Sequence, residues 1–361
     1  MSEKNLELSA AHERLGASWT AWRGWRVPEH YGDPAAEYRA AREAAAISDE
    51  SHAGRILISG PDALDFLHRL STASIVDLEP ARAVPTCLTN EKGRVLDLVL
   101  ALRTEEGVLL LAGTGSEEVL SAWLGKYHVM EDLEIRSGPP GCGVLDLEGP
   151  GSRKLLSEVL DGPPPASPEF FTLHEGTSGE TPLRLLRLPG ADREAWRLLV
   201  PQEAMVDVWE ALLRVGARAL GLRAREALRI ESGWPAYGRE LGGRYNPLEL
   251  GLRGAVDFEK GCYIGQEVVA RLDTYRKVGR RRVGIEASGL QEVHDEGRPV
   301  PLLVGEQKIG ELTSLAPVPG ADRSVGQGVV RGERFEEGAD CAARIGEKEI
   351  RATMKELPLV V

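Results

Sequence analysis

Two stretches of this chain repeat one pattern: RILISGPDALDFLHRL at 55–70 and GVLDLEGPGSRKLLSEVL at 143–160. Each reads as an apolar strand, a Gly-Pro step and a helix with paired apolar positions. Gly60-Pro61 aligns with Gly149-Pro150, and Phe66-Leu67 with Leu155-Leu156. Proline suits the first helical turn, where its missing N–H would have had no partner. A strand-to-helix unit that recurs predicts two related subdomains, each a sheet covered by its own helices.

The first copy continues through apolar runs at 83–89, 94–103 and 107–112, separated by Asn90-Glu91-Lys92-Gly93 and Glu105-Glu106-Gly107. Turn residues between apolar runs predict a meander. Thr114-Gly-Ser-Glu117 has the form of a capping box and opens a predicted helix to about His128, with a strand near 133–136 closing the unit. The order βα-βββ-αβ predicts a ferredoxin-like α+β layer. The second copy passes through a polar, Pro-rich loop (Asp161–Pro168), strands near 183–188 and 195–200, and a helix at 202–214. After about residue 281, RRVGIEA, PLLVGEQKIGELTS, SVGQGVV and CAARIGEKEIRATM are short strands with two Gly-Glu hairpin turns. The expected architecture is α+β. It has one subdomain from 1–49 with 138–280, a second ferredoxin-like subdomain at 50–137, and an all-β barrel module at 281–361.

A formal net charge of -12 and a pI near 5.3 disfavour nucleic acid and anionic membrane as partners. Cys87, Cys142, Cys262 and Cys341 lie far apart, with no C-x-x-C pair, and the histidines show no metal spacing. No disulfide framework, metal site or iron–sulfur ligation by this chain alone is expected. The N-terminal residues lack the apolar core of a signal peptide, and no run approaches the ~20 apolar residues of a membrane span. A cytoplasmic location is the expectation.

Three segments carry chemistry. In Lys260-Gly-Cys-Tyr-Ile-Gly-Gln-Glu267, glycines bracket Cys262 and Tyr263, allowing a tight turn and close approach to a ligand. Lys260 and Arg271 could favour thiolate at Cys262, or the cysteine could be an inert turn residue with Gln266 and Glu267 capping a helix. Upstream, Arg225 and Arg229 are four apart and share a helix face, with Glu231 near the helix end. Arginine forks suit carboxylates, and a carboxylate can accept ring N–H donors; ordinary surface ion pairs are the alternative. Asp97 is the one polar residue in Val95–Leu102, on the strand face of Val95 and Val99. A carboxylate so placed needs a partner, structural or functional.

K-G-C-[FY]-x-G-Q-E is the hallmark of the YgfZ family, and residues 260–267 match each fixed position. The stretch from Leu228 through Tyr237-Gly238 and Glu240 to Pro247-Leu-Glu249 resembles the LR-x-E-[AS]-G…YG-x-E…PLE pattern of the whole glycine-cleavage T-protein superfamily. The resemblance spans most of the chain. It implies two folate-binding subdomains and a barrel around a central cavity, with tetrahydrofolate as cofactor. It implies Cys262 and Asp97 as catalytic residues. Arg225, Arg229, Glu231, Tyr237, Lys260, Tyr263, Gln266 and Glu267 are implied at the cofactor. The YgfZ match implies an accessory factor for iron–sulfur cluster assembly or repair, with iron–sulfur client or carrier proteins as partners. An aminomethyltransferase working on a lipoyl carrier protein and a non-catalytic folate scaffold are the alternatives.

Two departures favour the accessory reading. The T-protein's G-G-x-x-D-D strand has Asp97-Leu98 here, so one acid of the doublet is absent. Its Y-T-G-E-x-G-F-E segment corresponds to Leu188–Arg197, which lacks both the Tyr and the closing Glu; Trp196 and Tyr237 are the remaining aromatics for a ring. The basic run Arg276-Lys277-Val-Gly-Arg280-Arg281-Arg282 is read as a patch for an anionic ligand such as polyglutamylated folate. Trp19, Trp22 and Trp25 are read as a packing stripe on an N-terminal helix.

Overall fold

A computed structural model describes residues 3–138, 141–165, 169–190, 192–288, 299–345 and 348–359. The end of the Pro-rich loop (166–168), Ala191 and the Gly346-Glu347 turn lie outside them. The chain opens with β1 (Lys4–Asn5), α1 (Ser9–Arg14), β2 (Ser18–Trp22), β3 (Trp25–His30), α2 (Pro34–Glu43) and β4 (Ala46–Asp49). Strands β1, β3 and β2 form a small sheet, so the three tryptophans sit on a β-hairpin and not on a helix. With Trp19 and Trp22 on one strand and Trp25 opposite Trp22, the spacing of three that suggests a helix arises across a turn.

The two predicted copies are both present. The first is β5 (Gly54–Ser59), α3 (Ala63–Leu70), β6 (Ala83–Thr89), β7 (Val95–Thr104), β8 (Gly107–Ala112), α4 (Glu117–Tyr127) and β9 (Glu134–Ser137). The second is β10 (Cys142–Glu148), α5 (Ser152–Val159), β11 (Leu173–Ser178), β12 (Thr181–Leu188), β13 (Ala195–Pro201), α6 (Met205–Arg214) and β14 (Arg218–Ala219). Their sheets run β6-β7-β8-β5-β9 and β11-β12-β13-β10-β4-β14, the same order with β4 standing where β9 stands. The aligned glycines explain the shared turn. Gly60 and Gly149 have φ of +122° and +124°, and a Cβ at either would collide with the backbone entering β9 or β4.

Each sheet buries one face under its own helices and turns the other toward its twin. Phe66, Leu67, Leu120 and Leu124 pack on Ile56, Val99 and Leu110 in the first copy. Leu155, Leu156, Val208 and Trp209 pack on Leu145, Leu185 and Leu198 in the second. Leu57, Leu100, Leu102 and Leu111 meet Val144, Leu186 and Leu199 between the sheets. The strand alternation that makes this possible sends Leu100 and Leu102 to the inter-sheet layer, and Val99 and Ala101 to the helices.

Helix α7 (Leu222–Glu231) and helix α8 (Gln266–Thr274) follow, and then a closed barrel. Its strands are β15 (Arg280–Ala287), β16 (Val300–Val304), β17 (Gln307–Pro317), β18 (Ser324–Arg331), β19 (Asp340–Ile345) and β20 (Lys348–Lys355), in the order β15-β18-β17-β16-β19-β20. Helix α7 is the hinge piece of the architecture. Its Ala224, Ala227 and Leu228 pack with Tyr38 of α2 and with Ala316 and Val325 of the barrel. The fold is therefore α+β with a C-terminal barrel. No helix among the described residues is long and apolar enough to cross a membrane.

Candidate functional site

Two clefts of about 790 Å³ and 730 Å³ adjoin where the paired sheets, α7 and the residues after it converge. Both clefts share Leu100, Arg197, Arg225, Arg229 and Trp234, so these residues form a waist between them. Asp97, Glu50, Trp22, Arg23 and Tyr237 lie on one side, and Asp146, Leu188, Arg193 and Trp196 on the other.

Asp97 is fully buried, and the strand points it at the start of α4. Its Oδ2 accepts from Gly113 N–H at 2.8 Å and Ser116 Oγ at 2.6 Å, and its Oδ1 from Leu98 N–H at 2.9 Å. Burial pushes its carboxyl up to about 6, against the pull of those bonds. The capping box expected at 114–117 does not form. Ser116 is the N-cap residue, but its hydroxyl turns to Asp97, and Glu117 instead accepts from Arg55 N–H at 2.9 Å. Leu98 packs on the opposite strand face with Leu241, Tyr245 and Leu250. Leu98 also lines the Asp97 cleft, so the position of the absent second acid faces the same cleft.

Helix α7 brings Arg225 and Arg229 to the waist together. Arg225 pairs with Glu50, which is itself buried and has its carboxyl pushed up to about 7 by burial, with Arg225 opposing. Arg229 forks onto Glu226 at 2.8 and 2.6 Å and reaches Ser314 Oγ of the barrel at 2.9 Å. Arg197 forks onto Asp146 at 2.7 Å for both bonds. The cleft thus holds a carboxylate on β10 opposite the position where the sequence shows an arginine in place of a closing Glu. Trp196 lines this cleft yet is wholly buried, its Nε1–H given to Glu194 at 3.2 Å.

Other sequence candidates lie elsewhere. Glu231 leaves the cleft and accepts from Tyr38 Oη at 2.8 and 2.9 Å and from Arg323 at 3.0 Å, tying α7 to α2 and the barrel. Glu240 accepts from Ser314 Oγ at 2.7 Å and Ala236 N–H at 2.9 Å, and Glu249 pairs with Arg94 at 3.0 Å. The acids of the LR-x-E…YG-x-E…PLE pattern are thus joints of the scaffold.

The 260–267 segment docks against the first copy, at residues 68–93, and lies outside both clefts. Lys260 Nζ donates to the carbonyls of His68, in the last turn of α3, and of Ser71 and Ala73 just past it, at 2.5, 2.7 and 2.9 Å, and burial pushes it down to about 8. Tyr263 is buried beneath Lys260, its hydroxyl pushed up to about 12 by burial. Gln266 reaches back to the carbonyls of Lys260 and Gly261 at 3.4 Å, while Glu267 and Cys262 are exposed. The lysine expected to favour a thiolate is thus committed to three carbonyls. The basic run is not one patch either. Arg276, Lys277 and Arg280 are exposed, Arg281 pairs with Glu356, and Arg282 is drawn inside to Leu250 O at 2.8 Å and Gln327 at 2.7 Å.

Residues 8–260 match the GCVT N-terminal domain, and residues 280–360 match the glycine cleavage T-protein C-terminal barrel domain. The chain belongs to the glycine cleavage T-protein family. Curated relatives include an aminomethyltransferase of Symbiobacterium thermophilum, 30% identical over 371 residues, with 99% of this chain and 97% of the relative covered. One of Streptomyces coelicolor is 31% identical over 340 residues, covering 91% and 89%. The crystal structure of the glycine cleavage system aminomethyltransferase T from Bartonella henselae superposes with a TM-score of 0.85 at 26% identity, covering 99% and 98%.

These full-length likenesses overturn the YgfZ-type assignment and the iron–sulfur accessory role, with its client proteins, that the eight-residue segment suggests. In that segment Lys260 and Gly265 serve docking, the lysine onto the end of α3 and the glycine onto the β6–β7 turn. Sequence reading also missed Arg23, Glu50, Asp146 and Trp234. The one signal available was Arg-Gly flanked by tryptophans at 22–25, a two-residue hairpin turn.

Proposed function

We propose that this chain catalyses tetrahydrofolate-dependent aminomethyl transfer from an aminomethylated lipoyl carrier protein, releasing ammonia. The observation that carries the reading is a wholly buried carboxylate, Asp97, set on a cleft in a chain that matches aminomethyltransferases along its length. Tetrahydrofolate supplies the nitrogen nucleophiles that accept the one-carbon unit. The cleft residues fit such a group: apolar and aromatic walls from Leu100, Leu111, Trp22 and Trp234, with a few convergent polar groups.

In this reading Asp97 faces the reacting nitrogen. Its three donors fix its orientation, and a carboxyl near 6 is ionised at neutral pH yet basic enough to take up a proton. Arg225 and Arg229 hold the polar edge of the ring system at the waist, and Tyr237 closes the Asp97 side. Water is limited by the packed inter-sheet leucines that form the floor.

The test is ammonia release from an aminomethylated lipoyl carrier protein, with and without tetrahydrofolate. Turnover that requires the folate and is lost in Asp97→Asn supports the proposal. Calorimetric binding of reduced folate without any turnover would sink it.

A further inference from the structure

Arg225 lines both clefts, and its guanidinium also neutralises an acid set behind it. Nη2 of the arginine pairs with Oε2 of Glu50, the residue that follows β4. The side chains are 24% and 2% exposed respectively. A molecule entering the cleft therefore meets the arginine first and the acid hardly at all.

The groups around Glu50 decide what becomes of the acid when that arginine turns to a ligand. From β4, Ser48 Oγ donates to Oε1 at 2.9 Å. From β10 and β13, Asp146 repels the acid and Arg197 attracts it, but these two fork onto each other at 2.7 Å and largely cancel. Arg225 is the strongest of the influences that favour the ionised acid. Burial already lifts the carboxyl to about 7 with Arg225 in place. A buried carboxylate that loses its counter-charge neutralises.

His52 stands beside it, buried, with Nε2 4.0 Å from Glu50 Oε2. Neither ring nitrogen completes a hydrogen bond of normal geometry among the described residues, and the Asp49 backbone gives the ring only a weak one. Burial, with the Arg225 charge adding to it, holds the imidazole down to about 4, so it is neutral at pH 7. The same arginine thus favours the unprotonated form of both neighbours. Drawing its charge away favours a proton on the two together.

We propose that Glu50 and His52 act as one proton-accepting pair, which takes up a proton when Arg225 engages the molecule bound in the cleft. Resting on the folate reading above, that molecule is the reduced folate. Its binding is then coupled to pH through two residues that it scarcely touches. The proton comes from solvent and adds to the pair, and no other bond is made or broken.

The test is calorimetry of tetrahydrofolate in buffers of different ionisation enthalpy, which counts the protons taken up. It is run on wild type, Glu50→Gln, His52→Gln and Asp97→Asn, with melting curves to verify folding. At pH 8 wild type should take up on the order of half a proton or more, and its affinity should fall by up to about tenfold per pH unit above that. Glu50→Gln should give buffer-independent heats and a flat affinity that exceeds wild type at pH 9, since no carboxylate then competes for Arg225. His52→Gln stays polar but cannot charge, so its uptake should shrink and move to lower pH. Asp97→Asn should take up as many protons as wild type. Buffer-independent heats in wild type would overturn the proposal without any variant, as would an uptake that Glu50→Gln leaves unchanged. Uptake lost in Asp97→Asn would assign the proton to that acid and overturn the pair. Wild type that binds no tetrahydrofolate would overturn the folate reading, and this inference with it.

Discussion

Ser116 Oγ donates to Asp97 Oδ2 at 2.6 Å, so the residue at the start of α4 serves the acid on β7 in place of its own helix end. Burial raises the Asp97 carboxyl to about 6, and the Ser116 bond works against that rise. Turnover should therefore fall as pH drops through about 6, where the acid takes up its proton. Ser116→Ala removes a bond that favours the charged form, so the acid limb should move to higher pH. Asp97→Asn should lower turnover by ~10²–10⁴, and the limb near pH 6 should be absent from any residual activity. Turnover measured from pH 5 to 8 on the three proteins gives the answer; an unmoved limb in Ser116→Ala would detach Asp97 from the titration.

Glu50 supplies a second pH dependence, in stability. Its folded-state carboxyl is raised to about 7 from an ordinary 4.5 by burial, despite Arg225, with Asp146 adding to the rise. Between those values the folded chain binds more protons than the unfolded one, so stability contributed here is present at low pH and lost as pH rises through about 7. Glu50→Gln cannot ionise and escapes that loss. The melting temperature of wild type relative to Glu50→Gln should therefore decline from pH 5 to pH 8. A difference that is flat, or that grows with pH, would contradict the raised carboxyl.

The duplicated architecture was legible because strand–Gly-Pro–helix is a local signal, and Gly60 and Gly149 meet the same backbone collision in both copies. Asp97 was legible for a related reason: one acid in an eight-residue apolar strand breaks a local pattern. The rest of the cleft was not, because it is assembled from distant elements. Asp146 reaches Arg197 across a β10–β13 pairing, and Glu50 meets Arg225 from the far end of β4. Neither pairing has a spacing signature. Glu231 and Cys262 show the converse. Glu231 matches a functional pattern yet holds α7 to Tyr38 and Arg323, and Cys262 sits in a distinctive motif whose Lys260 and Tyr263 face the scaffold.

The 260–267 segment yields the sharpest contrast between sequence conspicuousness and chemical role. Gly265 caps the start of α8 at φ +85°, and a Cβ there would lie 2.5 Å from Asn90 O and 2.8 Å from Gly93 Cα. Backbone on both sides cannot yield as a side chain would. Gly265→Ala should therefore cost about 2 kcal/mol or more, from left-handed strain and collision together.

Lys260→Met removes a cation that serves three carbonyls at the end of α3, and should cost on the order of 1–3 kcal/mol. Cys262 differs in kind: exposed, outside both clefts, and contributing no hydrogen bond to the docking of the segment among the described residues. Cys262→Ser should leave stability within about 0.5 kcal/mol of wild type and aminomethyl transfer unchanged. Denaturant unfolding of the three variants, read beside their turnover, separates the roles. A folded Cys262→Ser protein that had lost turnover would place the thiol in the chemistry and move the active cleft toward α8.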